Sequence, residues 1–116
     1  MNKTIIKKEK RIRRKSRIRA RVFGTMEKPR LSVFKSNKSL YAQLIDDVSG
    51  KTICQSDSKK VSGKTLSDKS FEIGKDIALK AKSKNIDKAV FDRGGFMYTG
   101  SIKSLAEGAR SGGLLF

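Results

Sequence analysis

Between Met1 and Arg21 the chain gathers eleven of its 28 lysines and arginines around a single acid, Glu9, so that +10 of the formal +17 charge falls on this segment. The cations are Lys3, Lys7, Lys8, Lys10, Arg11, Arg13, Arg14, Lys15, Arg17, Arg19 and Arg21. Like charges at this density repel one another, which argues against a compact, self-contained fold here and calls for a polyanionic partner. Nucleic acid fits that demand best, because each neutralised phosphate releases condensed counterions.

Other uses of a basic segment fit less well. A secretory signal needs an apolar stretch of about seven residues or more, and none follows the charges. A transit peptide is usually richer in serine. A membrane-surface helix needs one bulky apolar face, whereas Ile5, Ile12 and Ile18 make no continuous stripe. Residues 1–24 are therefore read as a nucleic-acid-binding arm and residues 25–116 as one domain.

A length of 116 residues suits a single domain, and the roughly ninety beyond the arm can bury a modest core. No apolar run approaches the roughly eighteen residues of a membrane span, so no membrane partner is expected. Cys54 is alone and can form neither an internal disulfide nor a zinc site, which places it as strand or core filler in a reducing compartment. Histidine is absent, which removes the commonest acid/base catalyst and metal ligand near neutral pH.

Beyond the linker and Pro29, residues 30–35 and 40–46 alternate with period two around Ser36-Asn37-Lys38-Ser39, the pattern of a hairpin with a four-residue loop. Pairing Lys35 with Leu40 puts Phe34 opposite Tyr41, Val33 opposite Ala42, Ser32 opposite Gln43 and Leu31 opposite Leu44. Leu31, Val33, Leu40, Ala42 and Leu44 then form a core face; Ser32, Phe34, Tyr41, Gln43 and Ile45 form the other. A third strand is expected over 51–56 after the turn Asp47-Val48-Ser49-Gly50, and a fourth over 87–92. Residues 57–65 are polar and aperiodic. Ile73, Ile77 and Ala81, broadened by Phe71, Gly74 and Ala78, predict a helix over 67–84, with Lys80, Lys82 and Lys84 at its negative end. Ile102, Leu105, Ala106 and Ala109 predict another over 101–111, stopped by Gly112 and Gly113, with Leu114, Leu115 and Phe116 docking behind it. The expected fold is α/β of the α+β type: a mixed four-stranded sheet in the order β-β-β-α-β-α, helices on one face, preceded by the basic arm.

The uncovered sheet face offers Phe34 and Tyr41 for stacking on bases and Ser32 and Gln43 for sugar contacts, with Arg30, Lys35 and Lys38 at its rim. Phe34 and Tyr41 also make a stabilising cross-strand pair. The loop Asp92-Arg93-Gly94-Gly95-Phe96-Met97-Tyr98-Thr99-Gly100 is the second candidate site: its glycines permit close backbone approach and Arg93 can fork onto a phosphate. The helix start behind it favours an anion as well. The same loop read plainly is a tight strand-to-helix turn, and it has the spacing of neither common nucleotide-binding loop.

The blocks RLSVFKSNKSLYAQLIDD, AVFDRGGFMYTG and KSLAEGARSGGLLF, in this order, resemble the family of the bacterial large-subunit ribosomal protein numbered eighteen, which binds 5S ribosomal RNA. The resemblance spans the whole chain. It implies a mobile basic arm on a mixed α/β domain, a cytoplasmic location in the large ribosomal subunit, and a place in the central protuberance, where such proteins help attach 5S rRNA to 23S rRNA. Neighbouring large-subunit proteins are the other implied partners, with no cofactor, no small-molecule substrate and no enzymatic activity. RNA contacts are expected at Lys7, Lys8, Lys10, Arg11, Arg13, Arg14, Lys15, Arg17, Arg19 and Arg21 of the arm. They continue at Arg30, Ser32, Phe34, Lys35, Ser36, Asn37, Lys38, Tyr41 and Gln43 of the hairpin, and at Arg93, Gly94, Gly95, Phe96, Tyr98 and Lys103.

Where the family commonly has Tyr-His-Gly-Arg, this chain has Tyr98-Thr99-Gly100-Ser101, so two RNA ligands are missing and Lys103 is left to compensate in part. The ending Gly113-Leu114-Leu115-Phe116 lacks a polar residue before the last Phe, which leads to the expectation that Leu115 packs tightly. Two rival classes are weighed against this. A metal-dependent nuclease would use Asp46, Asp47 and Asp92, though strand alternation sends the first two to opposite faces. A nonspecific nucleic-acid chaperone would place all its affinity in the arm.

Overall fold

The hairpin forms in the register that the alternation requires. In a computed structural model describing residues 3–36, 39–61 and 63–116, β1 (Arg30–Lys35) pairs antiparallel with β2 (Leu40–Asp46), Lys35 opposite Leu40 and Leu31 opposite Leu44. Leu31, Val33, Leu40, Ala42 and Leu44 are all buried. β3 (Lys51–Asp57) continues the sheet antiparallel to β2, with a register shift between Leu44 and Ile45. β4 (Val90–Asp92) runs parallel to β1, giving the order β3-β2-β1-β4. The fold is thus the mixed, four-stranded α+β arrangement expected.

The largest departure within the sheet is the length of β4. The expected strand begins at residue 87, but the backbone of Asp87 and Ala89 bonds instead to Leu115, whose N–H donates to Asp87 O and whose carbonyl accepts from Ala89 N, both at 2.9 Å. Lys88 and Leu115 form a parallel bridge. This bridge leaves Leu115 59 % exposed while Leu114 is buried, so the expected tight packing of Leu115 is corrected: its backbone is held and its side chain is not. Phe116 docks by stacking on Phe91 with centroids 5.4 Å apart.

Two helices cover the core face. α2 (Leu66–Ser83) begins at Thr65, whose hydroxyl accepts from Asp68 N, and α3 (Gly100–Ser111) buries Ile102, Leu105, Ala106 and Ala109. The polar stretch before α2 contains a short 3₁₀ turn, Ser58–Lys60. Ile86 and Ala89 complete the core from segments without helical or strand periodicity. Lys80 of α2 and Lys84, which caps its C-terminal end, reach the carbonyls of Gln55 and Ile53, which blunts the outer strand as a pairing edge.

α2 and α3 meet backbone to backbone at two glycines. A Cβ on Gly74 would overlap the carbonyl oxygen of Leu105 and lie 2.6 Å from Ala109 N. A Cβ on Gly108 would overlap the carbonyl oxygen of Phe71. Helix propensity alone favours alanine over glycine by about 1 kcal/mol. Forcing the helices apart costs about 1–3 kcal/mol and should win. Gly74→Ala and Gly108→Ala are therefore expected to lower the thermal midpoint, and a raised midpoint would show that the helices have room to spare.

Candidate nucleic-acid interface

The arm is a helix, α1 (Lys3–Arg19). Lysine and arginine are good helix formers, and Arg17 and Arg19 in the last turn suit its negative end. What holds α1 to the domain is a stripe of cations rather than of aliphatics. Arg11, Arg14 and Ile18 share one face at three- and four-residue spacing, with Arg19 at its margin. The Arg11 guanidinium stands 5.1 Å from the Phe96 ring centroid and 6.0 Å from that of Phe34. Arg14 Nε donates to Gly95 O at 2.9 Å, and Arg19 Nη1 lies 3.5 Å from Asp47 Oδ2. Ile5 and Ile12 remain exposed, as do Lys7, Lys8, Lys10, Arg13, Lys15, Arg17 and Arg21. No apolar stripe marks this docking in the sequence; the signal it carries is Arg11, Arg14 and Arg19 at i, i+3 and i+8.

The helix changes the surroundings of the expected RNA-facing sheet surface. Phe34 and Tyr41 do pair, with centroids 5.2 Å apart, and Phe96 meets Phe34 edge-on. α1 stands over this pair instead of leaving the face open, and a cleft of about 330 Å³ remains between them, reached by Arg11, Lys15, Ser32 and Gln43. A larger groove of about 820 Å³ continues it past Lys7, Lys8, Lys10, Lys35 and Ser36. Asn37 and Lys38 lie outside the described residues. Lys103 lies outside both grooves, exposed on α3 and 4.0 Å from Glu107.

Arg30 is not a rim cation. It is buried, and its fork closes on Asp47 through Nε–Oδ2 at 3.0 Å and Nη2–Oδ1 at 3.1 Å, while Nη1 reaches the wholly buried Asp92 Oδ2 at 2.8 Å. Burial alone would lower its pKa, but the bonds to Asp47 and Asp92 outweigh this and raise it. Asp47 also accepts the N–H of Gly24 at 2.8 Å. The bond from Arg30 holds the Asp47 carboxyl down to about 2 against the opposing effect of burial, assisted by Gly24 and by the charge of Arg19.

The loop after β4 does use its glycines for close backbone approach, but to its own chain and not to a ligand. Gly94 and Gly95 have φ of +64° and +82°. A Cβ on Gly94 would lie 2.7 Å from Val33 O, and one on Gly95 2.6 Å from Arg11 O. The close approach is thus made by β1 and α1. Asp92 Oδ1 accepts from Gly94 N, and Arg93 Nη1 donates to Phe96 O at 2.9 Å, which orients the guanidinium. Tyr98 is partly exposed, edge-on to Phe91.

The acids offered to a nuclease are already engaged. Asp46 accepts from Val48 N and Ser49 Oγ, and Asp47 and Asp92 hold Arg30. Among the described residues, no cluster of His, Cys, Asp or Glu could hold a metal ion.

Because the Asp47 pKa is depressed, its contribution is present above the unfolded value near about 4 and is lost as pH falls through about 2. Asp47→Asn should cost on the order of 2 kcal/mol at neutral pH. That gap to the parent should close between pH 4 and 2 in urea titrations. A gap independent of pH would mean that the carboxylate charge contributes nothing to the clamp.

The family model described as ribosomal L18 of archaea, bacteria, mitochondria and chloroplast matches residues 5–116. Curated relatives named large ribosomal subunit protein uL18 align over nearly the full length. The Clostridium botulinum (strain Langeland) protein is 54% identical over 111 residues, covering 93% of each chain. That of Desulfotalea psychrophila is 50% identical over 123 aligned positions and covers 100% of both. That of Limosilactobacillus reuteri is 50% identical over 108, covering 91% of this chain and 92% of its own.

Proposed function

We propose that this chain, which belongs to the ribosomal L18 family and is therefore a structural constituent of the large ribosomal subunit and not an enzyme, binds 5S rRNA and helps attach it to 23S rRNA in the central protuberance. The observation that carries this reading is the continuous basic groove between α1 and the Phe34–Tyr41 pair. Arginine and lysine meet phosphates there, partly exposed rings can stack on unpaired bases, and Ser32 and Gln43 supply polar contacts. Residues 1–24 act as the RNA-binding arm, 25–116 as the domain that gives it a fixed direction. The contacting residues are those expected from the sequence, except that Arg30 holds the domain together and that Gly94 and Gly95 are buried against β1 and α1. Neighbouring ribosomal proteins complete the surroundings.

The arm should dominate the salt dependence. Each phosphate contact adds roughly 0.7–0.9 to the slope of log affinity against log salt. Deleting residues 1–22 should flatten that slope and weaken binding to every RNA alike; an unchanged slope would remove the arm from the interface.

The aromatic pair should supply selectivity. Stacking on a base is worth about 1–3 kcal/mol by alanine substitution. Phe34→Ala and Tyr41→Ala should therefore lose roughly five- to a hundredfold in affinity for 5S rRNA, with far less loss toward heparin. Both should also cost less stability than Val33→Ala or Leu44→Ala, measured in thermal melts alongside. Equal losses toward both ligands would favour a generic nucleic-acid chaperone instead.

A further inference from the structure

Beside the C-terminal half of α1 lies a notch of about 540 Å³ lined by Arg14, Arg17, Ile18, Ala20, Arg21 and Arg93. Four of these six are arginines and none is an acid. We infer that this notch is one built site for closely spaced phosphates on a sharply turned RNA backbone, formed only while α1 is docked. The inference rests on the reading that the chain binds ribosomal RNA. It adds where the backbone is gripped, and that arm and domain share the grip.

The two sides of the notch come from opposite ends of the chain, and each presents an oriented fork. Arg14 spends Nε on Gly95 O, and Arg93 spends one Nη1 hydrogen on Phe96 O. An arginine has five N–H donors, so each guanidinium keeps the rest for a ligand. Arg17 follows Arg14 at three residues, which brings it round to the same side of α1, and Arg21, just past the end of the helix, lines the notch beside them. Four like charges in one notch repel, and no lining carboxylate relieves them. Anionic oxygens would. One phosphodiester carries one negative charge, so four cations call for several phosphates close together, as a tight backbone turn supplies. Gly95 makes the arrangement possible, since any side chain there would meet Arg11 O and push α1 away.

The test is a double-mutant cycle on the full chain, titrated against 5S rRNA, with a melt of every variant. Arg17→Ala and Arg93→Ala should each lose about tenfold or more, the scale of hydrogen bonds to charged groups. If they grip the same phosphates, the double variant should lose little more than the worse single one. Arg13→Ala is the control: Arg13 is exposed and outside the notch, so its loss should multiply with that of Arg93→Ala. Arg93→Lys should retain the salt slope yet lose affinity, because a point charge does not replace a planar fork. It also takes over in the cycle if Arg93→Ala melts early.

Losses that multiply in the notch pair as they do in the control pair would overturn the site, and so would an Arg93→Lys protein that binds like the parent. If the parent prefers no RNA over another, the proposed function fails, but the cycle still reads the notch on whichever RNA binds.

Discussion

The three-way bond among Arg30, Asp47 and Asp92 fixes the relative positions of every part that could meet RNA. Arg30 opens β1, Asp47 sits in the turn after β2, and Asp92 closes β4. Through its second oxygen Asp92 holds Gly94, and Asp47 holds both the N–H of Gly24 and the guanidinium of Arg19. The glycine loop and the exit of the arm are thus referred to one buried guanidinium. Replacing a buried ion pair with apolar groups is often harmless, but removing one partner leaves a charge without compensation, at about 3–5 kcal/mol. Arg30 faces two acids, so its loss would strand both.

What the sequence disclosed and what it concealed divide along a physical line. The β1–β2 register was legible because a period of two admits one assignment of Leu31, Val33, Leu40, Ala42 and Leu44 to a buried face. The two core helices were legible for the same reason at their own period. Both are local patterns. Arg30 was misread as a rim cation because its partners lie 17 and 62 residues away, and nothing local marks an arginine as buried. The short β4 has a similar origin, since the competing partner of residues 87–89 is Leu115, on the far side of α3 in the sequence.

The candidate interface was half legible. Residue chemistry identified the arm, the aromatic pair and the glycine loop separately, and the family resemblance placed RNA contacts on all three. It did not disclose that the three adjoin, because the contact between them consists of arginines against rings and carbonyls. Such a contact leaves no apolar stripe. It also makes α1 a cation-rich element held by few bonds against its own repulsion, so a polyanion relieves strain on the free protein as well as adding contacts.

The parallel pairing of β1 with β4 also dictates the order in which the molecule can be completed. The β1–β2–β3 meander is local and can close early, but the inner strand β1 keeps one edge vacant until residues 90–92 have been made. The second acid of Arg30 arrives only then. During synthesis the basic arm therefore emerges first, with neither Gly95 nor Phe96 to lean on, and spends that interval as a free polycation close to the ribosome that makes it.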